Sequence, residues 1–154
     1  MPLLKTIPIM KKTSLRKNQS GVGLIEVLVS MVVLALCLLG MAALQAVSLR
    51  NSQSAQSRSM ATIMSASITE SMRANVVAAK GGEYNVDTCA NVSGTGLANT
   101  DVASWINALK GAIGRTACGG IECRNATCDI TVQWDDSRAT SGKSAFSVTT
   151  RIIL

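Results

Sequence analysis

The sequence predicts an α+β chain. One long N-terminal helix, apolar all round and then apolar on one side, precedes a small domain with a short helix and an antiparallel β-hairpin. Three observations predict it. From Val27 to Leu44 the only clearly polar side chain is Ser30. Beyond Arg50, apolar residues return at helical spacing on a polar rod. Near the C-terminus the pattern changes to strict alternation, the period of a strand with one buried face.

The helix is expected from about residue 24 to 79. No proline interrupts residues 22–80, and Gly81-Gly82 ends the pattern. At a rise of about 1.5 Å per residue it would run roughly 80 Å. No charge falls between Glu26 and Arg50, and an uncharged helix of that length can cross a bilayer core of roughly 30 Å. Residues 22–49 are therefore read as a transmembrane half and residues 50–80 as an amphipathic half. In the second half the stripe is Met60, Met64, Ile68, Met72 and Val76, with Ile63 and Ala79 beside it. Such a stripe fits packing against a small domain better than a cofactor site.

Residues 81–154 form the expected globular head. Residues 81–100 read as loop, rich in Gly, Asn, Ser and Thr. Asn99, Thr100 and Asp101 offer caps for a helix whose face is Val102, Trp105, Ile106, Leu109 and Ile113, with Gly114 as its stop. Cys128, Ile130, Val132 and Trp134 then alternate with polar residues, as do Phe146, Val148, Thr150, Ile152 and Leu154. Asp135–Lys143 between them reads as a solvated polar turn, which makes the two runs a hairpin. A shorter strand around Gly120–Arg124 precedes them.

The net charge of +6 is unevenly placed. Lys5, Lys11, Lys12, Arg16 and Lys17 precede residue 21 with no acid among them, and the remainder is close to neutral. Basic residues before an apolar span favour a cytoplasmic N-terminus, which puts the head outside the cytoplasm. With no basic stripe and few aromatic residues on the head, nucleic acid is not expected as the main partner. The chain contains no histidine, the commonest general base and metal ligand. No catalytic, cofactor-binding or metal residues are expected. Gly81-Gly82 and Gly119-Gly120 read as turns, Asp135-Asp136 lacks calcium-loop spacing, and no nucleophile–base pair stands out.

Cys37 lies in the apolar run, while Cys89, Cys118, Cys123 and Cys128 lie in the head. An even set in a small exported domain reads as two disulfides, with three pairings open. A short loop between strands favours Cys123–Cys128, and with it Cys89–Cys118.

The most informative string is Gly21-Val22-Gly23-Leu24-Ile25-Glu26-Val27-Leu28-Val29-Ser30, in which a basic segment ends in glycine and one carboxylate opens an apolar helix. A lone glutamate there is costly in a membrane, so a partner is expected for it. A cut after Gly21 would give Val22 a charged amine four residues before Glu26. The amine of one subunit could then meet the Glu26 of a staggered neighbour, with desolvation offsetting much of the attraction.

This string resembles the prepilin signature of type IV pilins. The resemblance implies that residues 1–21 are a leader removed by a prepilin peptidase between Gly21 and Val22. It implies N-methylation of Val22 and a role for Glu26 in methylation or subunit docking. It also implies the ladle-shaped pilin fold, a long helix laid against an antiparallel sheet, with no enzymatic activity. Leu38-Leu39-Gly40, Leu44-Gln45 and the late Val132-Gln133-Trp134-Asp135-Asp136 resemble the minor pilins called type IV pilus modification proteins. Those imply a tip-proximal subunit that helps start pilus assembly. Its partners would be other minor pilins, the major pilin and a tip adhesin. Its places would be the inner membrane, with the head in the periplasm, and then the pilus. Met10-Lys11-Lys12 offers an alternative start. The same string serves minor pseudopilins of type II secretion and subunits of DNA-uptake pili, the two alternative functions.

Overall fold

The computed structural model describes Gly21 and residues 23–154. Residues 1–20 of the expected leader and the expected new N-terminus at Val22 lie outside the described residues. The elements are α1 (Leu24–Ala74), α2 (Val76–Lys80), α3 (Leu97–Ala112), β1 (Cys118–Arg124), β2 (Thr127–Trp134) and β3 (Phe146–Ile153).

Through Gly40, α1 is helix with every side chain exposed. Leu, Val and Met cover it on all sides, so no face is distinguished for packing on a protein core. From Met41 onward the chain forms the head's compact unit, and α1 contributes to its core from Ser54. The buried positions there are Ser54, Ala61, Ser65, Ile68, Thr69 and Met72. Ile68 and Met72 of the expected stripe are buried, and Ala79 beside it is too, while Ala61 and Ser65 extend the buried line. Ala61 and Ser65 sit at its centre, Met60 and Met64 flank it half-buried, and Ile63 is exposed. Small side chains let neighbouring elements approach the helix axis. The buried hydroxyls bond within α1: Ser65 Oγ donates to Ala61 O at 2.9 Å and Thr69 Oγ1 to Ser65 O at 2.7 Å.

The helix stops short of the expected end. Asn75 leaves helical geometry with ψ 54°, and α2 continues for one short turn to Gly81. The next helix starts earlier than its expected caps. Gly96, at φ 115°, precedes α3, and Ala98 is already buried on its inner face. Asn99 and Thr100 do not cap. Their side chains donate back to Thr95 O at 3.3 Å and Gly96 O at 2.9 Å. Val102, Trp105, Ile106 and Leu109 form the expected buried face, and Gly114, at φ 146°, follows its end.

The sheet is antiparallel in the order β1-β2-β3. Asn125 takes the left-handed conformation, φ 58°, in the tight turn between β1 and β2. Along β2 the alternation is complete: Cys128, Ile130, Val132 and Trp134 are buried. They join Ile68, Met72, Trp105 and Leu109 in one core. The chain is thus α+β, with the second half of a long N-terminal helix packed on a small three-stranded sheet. At Gly119 in β1, a Cβ would overlap the Trp105 ring, so glycine is what lets α3 lie this close to the strand.

Candidate assembly site

α1 opens at Leu24, and Gly23 O accepts from the backbone N–H groups of Glu26 at 2.9 Å and Val27 at 3.3 Å. Glu26 therefore stands in the first turn, where unpaired N–H groups give the helix its positive end. The carboxylate is exposed, as are Leu24, Ile25, Val27 and Leu28 around it. Among the described residues α1 is long and apolar enough to cross a membrane, and none of its most apolar window is buried. An aliphatic surface that large is costly in water and stable in lipid or among other apolar helices. Ser30 Oγ meets its own hydrogen-bonding need by donating to Val27 O at 2.8 Å. Cys37 is free and exposed on the same surface.

Both head disulfides are present. Cys89 is bonded to Cys118, with Cα atoms 4.9 Å apart, which ties the loop after α2 to the start of β1. Cys123 is bonded to Cys128, with Cα atoms 4.0 Å apart. These two residues face each other directly in the β1–β2 register. The backbone of Cys123 pairs with a side chain instead of a strand: its N–H donates to Asn85 Oδ1 at 2.8 Å, and Asn85 Nδ2 donates to its carbonyl at 3.3 Å. Next to this, Val86 bridges to Ile121 through two backbone bonds of 2.9 Å. The outer edge of β1 is thereby covered by the residue 85–89 segment.

Three side chains tie α1 to the rest of the head. Trp105 Nε1 donates to Met64 O at 2.9 Å. Tyr84, fully buried, donates to Asp101 Oδ2 at 2.7 Å and lies 3.5 Å from both Ser71 O and Asn75 Nδ2. Burial, and then the bond to Asp101, push the Tyr84 phenol above its ordinary range. The third is Asp136, expected in a solvated turn but buried. It accepts from Ser54 Oγ at 2.7 Å and lies 3.5 Å from the Arg58 guanidinium. Arg58 also stacks over the Phe146 ring, 4.3 Å from its centroid, and Phe146 lies 5.1 Å from Trp134. Thr140 Oγ1 donates to Asn51 Oδ1 at 2.8 Å. The β2–β3 loop is therefore fastened along α1. Asp135, next to Asp136, stands exposed, its carboxyl held low by hydrogen bonds from Ser137.

Sequence reasoning missed Ser54, Tyr84 and Asp136. A serine in a polar patch and one of two adjacent aspartates carry no local mark of burial. The only available signal was that Asp136 follows the buried strand position Trp134 by two residues.

The outer sheet face is polar. Arg151 donates twice to Asp129, Nε to Oδ1 and the terminal nitrogen to Oδ2, both at 2.7 Å. That fork holds the Asp129 carboxyl below its ordinary range and raises the Arg151 guanidinium. Thr131 and Thr149 share a 3.0 Å hydroxyl contact beside it.

Comparison with curated proteins and with solved structures gave no match. Residues 16–42 match the family model described as the prokaryotic N-terminal methylation motif, a span that includes Gly21, Val22 and Glu26. Together with a long apolar helix and a three-stranded antiparallel sheet, the motif supports a type IV pilin-like prepilin.

Proposed function

We propose that this chain is a minor pilin, of the type IV pilus modification kind, that takes part in initiating pilus assembly close to the tip. The observation that carries the reading is the methylation motif over residues 16–42, which runs directly into a helix exposed on every side as far as Leu49. A prepilin peptidase cuts between Gly21 and Val22, and the Val22 amine is methylated. The apolar half of α1 holds the subunit in the inner membrane, with the head in the periplasm. It is then exchanged from lipid into a bundle of like helices formed with other minor pilins, the major pilin and a tip adhesin. Glu26, at the positive end of its helix, meets the amine of a neighbouring subunit there. The head selects neighbours through its shape and catalyses nothing.

The test is the N-terminal mass of the membrane-extracted protein from strains with and without the prepilin peptidase. A chain beginning at methylated Val22, and lost without the peptidase, supports the reading. An intact leader in both strains overturns it.

A further inference from the structure

Among the described residues, Arg58, Arg73, Arg124 and Arg151 each stand in an ion pair. Arg50, Arg115 and Arg138 do not, and all three line one cleft of about 570 Å³ in the head. They come from three separate elements: α1, the turn between α3 and β1, and the β2–β3 loop. Arg50, Gln53 and Ser57 recur on α1 at the spacing of a single helix face, and Thr116 adds a hydroxyl opposite. Asp135 and Asp136 also line the cleft. Asp136 is already engaged by Ser54 and Arg58, while Asp135 accepts from the Ser137 N–H and stands close enough to Arg138 to offset part of its charge. Trp134, on the same wall, holds a buried indole N–H with no partner among the described residues. Arg50 and Arg115 are left without an acidic partner, so the cleft carries an excess of cations and hydrogen-bond donors, the set that recognises phosphate.

The position along α1 says which phosphate. Met41, Leu44, Val47 and Leu49 are exposed and apolar, and Arg50 follows Leu49 directly. The uncharged run Val27–Leu49 spans roughly 35 Å as helix, close to a bilayer core. The first arginine of the cleft therefore falls where hydrocarbon gives way to headgroups.

We propose that this cleft binds the phosphate of an anionic phospholipid headgroup in the leaflet facing the head, seating the head on the membrane before the subunit leaves it. The proposal rests on the membrane-span part of the reading above and not on processing at Gly21.

The full chain in zwitterionic detergent is exposed to equal amounts of phosphatidylglycerol and phosphatidylcholine, and bound lipid is counted by native mass spectrometry. Wild type should favour phosphatidylglycerol by about tenfold or more, since each cation at a membrane surface adds a sizeable attraction for anionic lipid. R115Q/R138Q, which keeps Arg50 at the boundary, should fall to near parity. R124Q/R151Q, which removes the same charge elsewhere, should keep the preference. Parity in wild type, or equal loss in both variants, overturns the proposal. Complete displacement by inorganic phosphate makes it a soluble-phosphate site, and arginine-dependent binding of a polyglutamate peptide without lipid preference makes it a protein-docking site. Either outcome overturns the headgroup. Incorporation into bilayers of phosphatidylcholine alone reports the membrane span separately.

Discussion

The indole Nε1 of Trp105, on α3, donates to the backbone oxygen of Met64, on α1, at 2.9 Å. The same ring closes over Gly119 of β1, where no Cβ would fit. One side chain thus fixes the spacing of helix, helix and strand. Trp105→Phe should keep most of the packing and lose the bond, costing about 1 kcal/mol. Trp105→Ala opens a cavity as well and should cost about 3–5 kcal/mol. Thermal and urea unfolding followed by near-ultraviolet circular dichroism would measure both, and equal losses for the two variants would contradict this division.

Asp136 lies against Ser54 and Arg58 of α1, so its removal strands a buried hydroxyl and frees the guanidinium. Asp136→Ala should cost about 1–3 kcal/mol. Asp136→Asn, which still accepts from Ser54, should cost less. The β2–β3 loop should also become the fastest-cleaved site in limited proteolysis of the alanine variant. An unchanged cleavage pattern would mean that Thr140 and Asn51 alone hold the loop.

The disulfides close loops of different size, with sequence separations of 29 and 5 residues. In the chain-entropy view, replacing Cys89 and Cys118 by serine should cost about 3.5 kcal/mol, and replacing Cys123 and Cys128 about 2 kcal/mol. Unfolding of each double variant against wild type tests the order. The reverse order would place most of the effect in native packing, where Cys128 is fully buried.

Tyr84 gives stability a dependence on alkaline pH. Its phenol is raised by burial and then by Asp101, so the unfolded chain ionises first as pH climbs. The contribution is complete below the ordinary tyrosine range near pH ~10 and is lost as pH rises through the folded value. Melting temperature against pH should fall more gently on the alkaline side for Tyr84→Phe than for wild type. Parallel curves would remove Tyr84 from the alkaline limb.

If Glu26 docks a neighbour's amine, Glu26→Ala should leave cleavage after Gly21 intact and sharply reduce incorporation into filaments. Immunoblots of sheared pili against whole membranes would show it. Normal incorporation would remove Glu26 from docking.

The elements whose signal is local are legible in the residues alone. The uncharged run from Val27, the period-two alternation of Cys128–Trp134 and the face Val102–Leu109 each dictate a structure without reference to anything distant. The prepilin string is likewise contiguous, so its match over residues 16–42 needs no fold. Features that depend on partners far along the chain emerge only on folding. Ala61 and Ser65 became the centre of the buried line because α1 is approached there by neighbours, a fact no hydropathy pattern carries. Asp136 is buried because Ser54, 82 residues away, supplies its hydrogen bond. Likewise Arg50, Arg115 and Arg138, scattered in sequence, share one cleft because the end of α3 and the end of β2 both fall beside the middle of α1. Burial and charge clustering are sums over distant neighbours, and only the folded chain brings those neighbours together.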